Sequence, residues 1–320
     1  MRIAFVGKGG SGKTTLTALL SLYLASQKLP VLAIDADINQ HLAMSLGMSA
    51  EEAAAIPPMG LQMNKIKDYL RGSNPRISSL DNMVKTTPPG SGSRLVKFAE
   101  HNPLRGHFER MVTGVRVMAV GPFSEEDLGI KCFHSKTGAA EMYLNHLIDG
   151  PEGYVISDMT AGADTFASGM FTKFDVTYLV VEPTIQSLTV YEQYKKYARD
   201  FDVAICVIGN KVESYEDTEF LRERVGADLL TCFTSSVYVK SLAKGARKPL
   251  GHLEEENRAS LQLLYENLGR YRRDWQKMQE QTVYFHIRNA EDWANAQAGE
   301  DLTRQVDPGF ALGPVAAALG

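Results

Sequence analysis

Short apolar runs separated by amphipathic stretches dominate the first part of this chain. The runs cover residues 3–6, 31–34, 115–120, 154–156, 176–181 and 203–208. Each is apolar at nearly every position, as in strands that are covered on both faces. Strands of this kind that alternate with helices form a doubly wound sheet. We therefore predict an α/β fold with a mostly parallel sheet flanked by helices.

Apolar residues at helical spacing lie between and after these runs. One predicted helix follows the first run, and another covers about residues 186–200. A third pattern near the C-terminus predicts one long helix, packed either on its own sheet or against a partner. Its apolar seam contains Leu261, Leu264, Leu268, Tyr271, Trp275 and Met278.

Two regions break the alternation of strands and helices. Residues 51–114 are rich in proline and glycine, and we predict a mobile insertion there, with a helical subdomain carrying one disordered loop as the alternative. Residues 299–320 have a composition that predicts weak order. We therefore expect a single domain over residues 1–282, interrupted by the insertion 51–114, and a C-terminal tail over residues 283–320.

Composition and charge exclude several classes of protein. The 320 residues are 44% hydrophobic, which suffices for a large core, and the net charge of -4 lacks the basic excess typical of nucleic-acid binding. Three cysteines do not make a disulfide framework and fit a reducing compartment. We expect no secretory leader and no membrane-spanning segment, because the apolar stretches of the sequence are too short for either. We expect a cytoplasmic protein that binds neither nucleic acid nor membrane.

A glycine-rich segment joins the first predicted strand to the first predicted helix. It reads Gly7-Lys8-Gly9-Gly10-Ser11-Gly12-Lys13-Thr14. This spacing is that of a phosphate-binding loop, in which backbone N–H groups and a helix N-terminus surround one anion. We expect Lys13 to bridge the β- and γ-phosphates of a nucleotide, Thr14 to bind Mg²⁺, and Thr15 to reach the α-phosphate.

Lys8 is not needed to hold phosphates within one chain. With it, residues 8–15 resemble the deviant Walker A motif of the superfamily that contains the Min/Par proteins, the nitrogenase iron protein and the arsenite-pump ATPase. The resemblance implies the P-loop NTPase fold and a homodimer that forms on ATP binding. It also implies that Lys8 reaches the partner's nucleotide and stabilises negative charge there.

Carboxylates follow two of the predicted strands, where ligands bind in open α/β sheets. The resemblance implies that Asp37 orients the attacking water, although Ile38 stands where proline is usual. Asp35 is the competing candidate and is expected to contact Mg²⁺ through water. Asp158 is predicted to hold Mg²⁺ as the Walker B carboxylate, and Gly162 to offer its N–H to the γ-phosphate.

A purine pocket is predicted beyond residues 203–208. Asn210 is the candidate for the purine edge, with Lys211 beside it. Glu213 stands where an aspartate would indicate guanine, so we favour ATP. Pro183 is expected on the same rim, and Phe233 on the opposite wall.

Several stretches resemble the carbon monoxide dehydrogenase maturation ATPases of the CooC type. They are residues 158–162, 181–184, 210–211 and 245–250. That branch carries a Cys-x-Cys pair that binds metal in the dimer, and this chain has Cys132-Phe133-His134 at the matching place. Two such pairs on extended chain would form a Cys₂His₂ set suited to Zn²⁺, or to Ni²⁺ or copper(I). The competing interpretation is a buried cysteine beside a surface histidine.

The predicted function is a homodimeric switch that hydrolyses ATP slowly to ADP and phosphate for metal-centre maturation, acting on an unidentified protein client. One alternative is a Min/Par-type positioning ATPase, which would need a basic tail or patch. Another is a targeting or pump ATPase that binds a client through the insertion, and a metabolic kinase is the fourth. The groove of the targeting alternative would contain Leu61, Met63, Ile66, Tyr69 and Leu70.

Overall fold

A computed structural model of the chain describes residues 1–122, 134–150, 153–160, 166 and 169–319. The described strands are β1 (Arg2–Gly7), β2 (Val31–Ala36), β3 (Val96–Lys97), β4 (Arg110–Val112), β5 (Val115–Ala119), β6 (Leu147–Ile148), β7 (Tyr154–Met159), β8 (Val176–Val181), β9 (Ile205–Val212) and β10 (Leu229–Thr234). The described helices are α1 (Lys13–Ser26), α2 (Leu42–Ser45), α3 (Ala50–Ala54), α4 (Met63–Arg71), α5 (Pro103–Phe108), α6 (His134–His146), α7 (Ile185–Ala198), α8 (Tyr215–Val225), α9 (Val237–Ala243), α10 (Glu255–Leu268), α11 (Trp275–Asn289), α12 (Asn295–Ala298) and α13 (Pro314–Leu319).

The strands form a twisted central sheet in the order β10-β9-β8-β1-β7-β2-β5-β4. Its described pairs are parallel except β4 with β5, which is antiparallel. The short strands β3 and β6 pair separately. This arrangement confirms the predicted α/β class with a mostly parallel sheet flanked by helices. Strand order reverses around β1, and the carboxyl ends of β1, β2 and β7 meet at one edge of the sheet.

Both faces of the sheet are covered, which explains why the apolar runs do not alternate. Within β1, Ile3 and Phe5 belong to the core on one face, while Ala4 and Val6 belong to the core on the other. Helices α1 and α10 contribute to the first core, and α4, α6, α7 and α8 to the second. Each predicted apolar run overlaps a strand of the central sheet. The edge strands β4 and β10 were not predicted, since edge strands are only partly buried and lack a continuous apolar run.

The insertion packs on the sheet instead of forming a mobile segment. Ile66 and Leu70 on α4 are fully buried in the main core. Residues 86–90 are buried too, and Thr87 donates its hydroxyl to Gln305 at 2.9 Å. Residues 51–114 therefore share their core with the rest of the chain.

The predicted long C-terminal helix is wrong, because the chain forms α10 and α11 with a break over residues 269–274. Asp274 caps α11 by accepting the N–H of Lys277 at 2.9 Å. In the break, Arg273 forms ion pairs with Asp149 at 3.1 Å and with Asp175 at 2.6 Å. The apolar period continued through the break because Tyr271, in the otherwise polar connection, keeps the spacing between the two helices.

The last residues also differ from the expected weakly ordered tail. Helix α11 runs through position 282, the predicted end of the domain. Leu302 and Gln305 are buried, and the carboxylate of Asp307 accepts the N–H of Ser91 at 2.9 Å. The C-terminal segment thus packs against the insertion.

Candidate functional site

The phosphate loop is a tight turn between β1 and α1 that requires glycine at two positions. Gly12 has a φ of +97°, and a Cβ there would overlap the side-chain amide of Asn210. A Cβ on Gly7 would overlap the carbonyl oxygen of Val180 on β8. Helix α1 begins directly after Gly12 without a side-chain cap. Its first N–H groups are therefore left for an anion in the loop.

The two lysines of the loop lie in opposite environments. Lys13 is 5% exposed, and its ammonium group is 3.5 Å from the Oδ2 of Asp37. Lys8 is exposed at the tip of the loop, next to the exposed Gly9 and Gly10. The buried lysine is therefore positioned for a phosphate of its own chain, whereas Lys8 faces outward.

Two carboxylates converge on the start of α1 from neighbouring strands. Asp35 on β2 and Asp158 on β7 are partners in register, and both are buried. The Thr14 hydroxyl donates to Asp158 Oδ2 at 2.5 Å, and Thr15 follows it on the same helix, half-buried. In the part of the chain that the structure describes, Asp158 Oδ1 has no hydrogen-bond partner.

Burial of these carboxylates disfavours their charged forms. It raises the pKa of Asp158 to about 7, although the Thr14 hydroxyl and the charge of Lys13 oppose the shift. Burial also raises the pKa of Asp35 well above its ordinary value, and the neighbouring charge of Asp158 adds to the effect. A hydroxyl beside two buried carboxylates, one with an unpartnered oxygen, is a set of hard oxygen ligands that fits Mg²⁺.

The segment after β2 is held by its own side chains. Asp37 Oδ1 accepts the backbone N–H of Asn39 at 3.0 Å, and Asp35 Oδ2 accepts that of Leu42 at 2.9 Å. Gln40 donates its amide to the Asp37 carbonyl and accepts the N–H of Gly121 at 3.2 Å. Sequence reasoning missed Asn39 and Gln40, although an Asx turn at Asp37 is a recognisable local pattern.

The end of β9 contacts the phosphate loop directly. Asn210 donates its side-chain amide to the carbonyl of Ser11 at 2.7 Å. Lys211, with a φ of +58°, donates to the carbonyl of Gly10 at 2.7 Å and to Glu182 Oε1 at 2.5 Å. The structure thus brings both predicted residues to the loop, and it adds Glu182 as the partner of Lys211.

These features together match one family of nucleotide-binding proteins. Residues 3–253 fit the family model described as the CobQ/CobB/MinD/ParA nucleotide binding domain. The chain belongs to this family. The resemblance seen in residues 8–15 is therefore confirmed at the level of the superfamily.

Individual relatives agree with this membership. The chain is 28% identical over 225 residues to the carbon monoxide dehydrogenase accessory protein CooC of Rhodospirillum rubrum, covering 70% of this chain and 79% of that protein. It is also 28% identical over 230 residues to an uncharacterized ATP-binding protein of Methanocaldococcus jannaschii, covering 72% and 81%. The chain is a P-loop ATPase of the MinD/ParA superfamily.

A solved structure shows the same fold. The cell division ATPase MinD of Pyrococcus furiosus aligns with a TM-score of 0.54 at 17% identity, over 84% of this chain and 98% of MinD. At this identity the likeness concerns the fold alone. Among the helices described in this MinD/ParA-type ATPase, none has the length and apolar character needed to cross a membrane.

Pro183 and Phe233, both predicted to contact the nucleotide, differ in how far they are buried. Pro183 is half-buried directly after β8, near Glu182. Phe233 is 2% exposed and packs in the core beside α1 and α10, so the expectation that it lines an open pocket is corrected. The error arose because Phe233 lies on β10, a strand that had not been predicted.

The remaining predicted site residues lie either outside the described residues or directly next to a gap in them. Cys132 and Gly162 are outside the described residues. His134 is the first residue of α6, so the extended chain assumed for the Cys132/His134 pair does not hold at that position. No metal-binding group of three or more His, Cys, Asp or Glu side chains occurs within the described ranges.

The apolar groove expected in the insertion is not formed by the predicted residues. Ile66 and Leu70 are buried in the core, and Met63 and Tyr69 are partly buried against it. Leu61 is 55% exposed. Most of the apolar side of α4 therefore serves packing.

Proposed function

We propose that this ATPase is a homodimeric switch that binds Mg-ATP between two protomers and hydrolyses it slowly to ADP and phosphate. The ion pair between buried Lys13 and Asp37 carries the proposal. An ATP phosphate would compete with Asp37 for the Lys13 ammonium. Binding would therefore release the Asp37 carboxylate and the segment that its side chain holds, which couples nucleotide occupancy to local conformation.

The residues of the site divide the chemistry among them. Lys13 and the N–H groups of the loop would neutralise the phosphates, and the released Asp37 would orient the attacking water. Mg²⁺ would be held by Thr14 and Asp158, with Asp35 contacting it through water, and when bound it supplies positive charge at the phosphates.

Lys8 would complete the site of the partner subunit. Its exposure at the loop tip supports this role, since a lysine that faces outward is available to a second protomer. Hydrolysis would be slow in the monomer because the charge of Lys8 arrives only on dimerisation. The base would lie near Asn210 and Lys211, with Pro183 on the rim, and Gly162 would contact the γ-phosphate.

Metal-centre maturation is the proposed biological role, and it rests on the likeness to CooC. In this role the nucleotide-driven change in the dimer would act on a protein client. Cys132 and His134 of both protomers would hold Zn²⁺ or Ni²⁺ between them. Replacing Cys132 with serine should then abolish metal bound by the dimer without preventing dimerisation.

Asp37→Ala provides the decisive test. With Mg-ATP we expect light scattering to give a mass near twice the 35.3 kDa of the chain, since ATP binds but is not hydrolysed. Lys8→Ala is the matched variant and should remain monomeric under the same conditions. A monomeric Asp37→Ala protein that binds ATP would refute the dimer switch.

The metal content of the same eluted peak tests the biological role separately. About one metal ion per two chains, lost in Cys132→Ser, would support maturation. A metal-free dimer would remove the metal site and leave the switch in place. The positioning and client-targeting alternatives would then become the leading functions.

A further inference from the structure

A second cavity lies away from the phosphate loop, between the insertion and the end of the chain. Its volume is about 460 Å³, within the range of small-molecule sites. Its walls come from residues 60–67, residues 81–85, the start of α6 and residues 293–298. None of the described residues assigned to the nucleotide lines it.

The lining carries an excess of positive charge, with Lys67, Lys85 and Lys136 against Asp81. Burial lowers the pKa of Lys67, whose ammonium donates to a backbone carbonyl at 3.1 Å. Lys85 is half-buried, and its ammonium has no hydrogen-bond acceptor among the described residues. Lys136 is buried and donates to the carbonyl of Pro122 at 2.5 Å. An anion in the cavity would pair with the ammonium groups of Lys67 and Lys85 and offset their partial loss of water.

One aromatic side chain, Trp293, lines the cavity among the described residues and is 42% exposed. Its indole N–H donates to Asn289 Oδ1 at 3.1 Å, which fixes the orientation of the ring. Trp293 belongs to a π-helix, Ala290–Ala294, between α11 and α12. Such turns are rare and occur frequently at functional sites. Met63 is only partly buried, lines the cavity and offers adaptable apolar contact.

We propose that this cavity binds a small anion that carries a planar aromatic group. The flat group would stack on Trp293 with Met63 as a further apolar contact, and the phosphate or carboxylate would pair with Lys67 and Lys85. The site is separate from the phosphate loop, so the proposal does not depend on the proposed dimer switch.

Calorimetric titration of the full chain tests this site, with Mg-ADP present in excess to occupy the phosphate loop. The probes are naphthyl phosphate, naphthoate and neutral naphthol. We expect one anion per chain, bound at least about tenfold more tightly than naphthol because of the paired charge. The anion that binds more tightly identifies the headgroup as phosphate or carboxylate.

Variants locate the binding. We expect the affinity for the anion to fall about tenfold or more in two variants. One is the double variant Lys67→Gln with Lys85→Gln, and the other is Trp293→Leu. Lys65→Gln is the matched control, because Lys65 is an exposed lysine of the same helix that does not line the cavity. Equal binding of naphthol and the anions would overturn the proposal. Affinity that is unchanged in the lysine and tryptophan variants would overturn it too, as would the lack of saturable binding.

Discussion

Replacing Asp158 with asparagine should stabilise the nucleotide-free protein while removing its response to Mg-ATP. Asp158 is 0% exposed, and burial raises its pKa from 3.8 to about 7. A shift of about 3 pKa units corresponds to about 4 kcal/mol of unfavourable free energy for the charged form. Asparagine has the same shape and still offers an oxygen to the Thr14 hydroxyl, but it carries no charge.

The sign of the pH dependence follows from proton binding. Between the unfolded pKa of 3.8 and the folded pKa of about 7, the native state holds a proton that the unfolded state has released. The contribution of Asp158 to the stability of the wild type therefore falls as pH rises through this window, and it is constant above it. The variant lacks this loss. The free energy of unfolding of Asp158→Asn should exceed that of the wild type by near zero at about pH 4 and by about 4 kcal/mol at about pH 8.

Denaturant unfolding at several pH values, without nucleotide or Mg²⁺, measures this difference. The difference in free energy of unfolding between variant and wild type cancels the titration of distant groups. Removing the Asp158 charge also makes the charged form of Asp35 less unfavourable, because the Asp158 charge raises the pKa of Asp35. This effect adds to the stability of the variant. Mg-ATP should raise the melting temperature of the wild type and leave that of Asp158→Asn nearly unchanged. Asp202→Asn, at an exposed ion pair, is the control and should change stability by less than about 0.5 kcal/mol. A variant that is less stable than wild type at about pH 8 would refute the reasoning.

Two further predictions concern the loop and the insertion. Gly12→Ala should abolish Mg-ATP binding in calorimetry, because a Cβ would displace the Asn210 amide, whereas Gly226→Ala, also at positive φ but in open space, should bind normally. Equal binding by both would contradict the steric argument. Leu70→Ala should lower the free energy of unfolding by about 2–5 kcal/mol, as for other buried leucines. The exposed Leu61→Ala should cost less than about 0.5 kcal/mol; similar values for both would show that the insertion is not part of the core.

Local patterns predicted the parts of this protein that depend on neighbouring residues. The phosphate loop is one continuous segment, so Lys13 and Thr14 could be assigned before any fold was known. Asp158 could likewise be proposed from the apolar run that precedes it, whereas Asp37 was proposed from the resemblance to the deviant Walker A superfamily. Contacts between distant segments were not predictable in this way. Two such contacts depend on how the strands are ordered in the sheet. They are the Lys13–Asp37 ion pair and the hydrogen bond from the Asn210 amide to the backbone of the loop.

Periodicity was misleading where apolar residues served more than one element. The seam from Leu261 to Met278 continued across a break, since helix spacing does not record that one helix ends at Leu268 and that Asp274 caps the start of the next. Phe233 was assigned to a pocket because its strand, at the sheet edge, lacked an apolar run. The composition of the insertion predicted mobility, although Ile66, Leu70 and Ile77 are buried in the core.

The sequence alone therefore determined the fold class, the phosphate loop and the superfamily, because strand runs and glycine spacing are local and are dictated by backbone sterics. Only the tertiary structure decided that the insertion and the C-terminal segment pack together, that Asp35 and Asp158 lie side by side in a buried position, and that Trp293 stands over a cavity lined by lysines. Those features depend on long-range packing and on the loss of water around charged groups, and no local pattern of residues specifies either one.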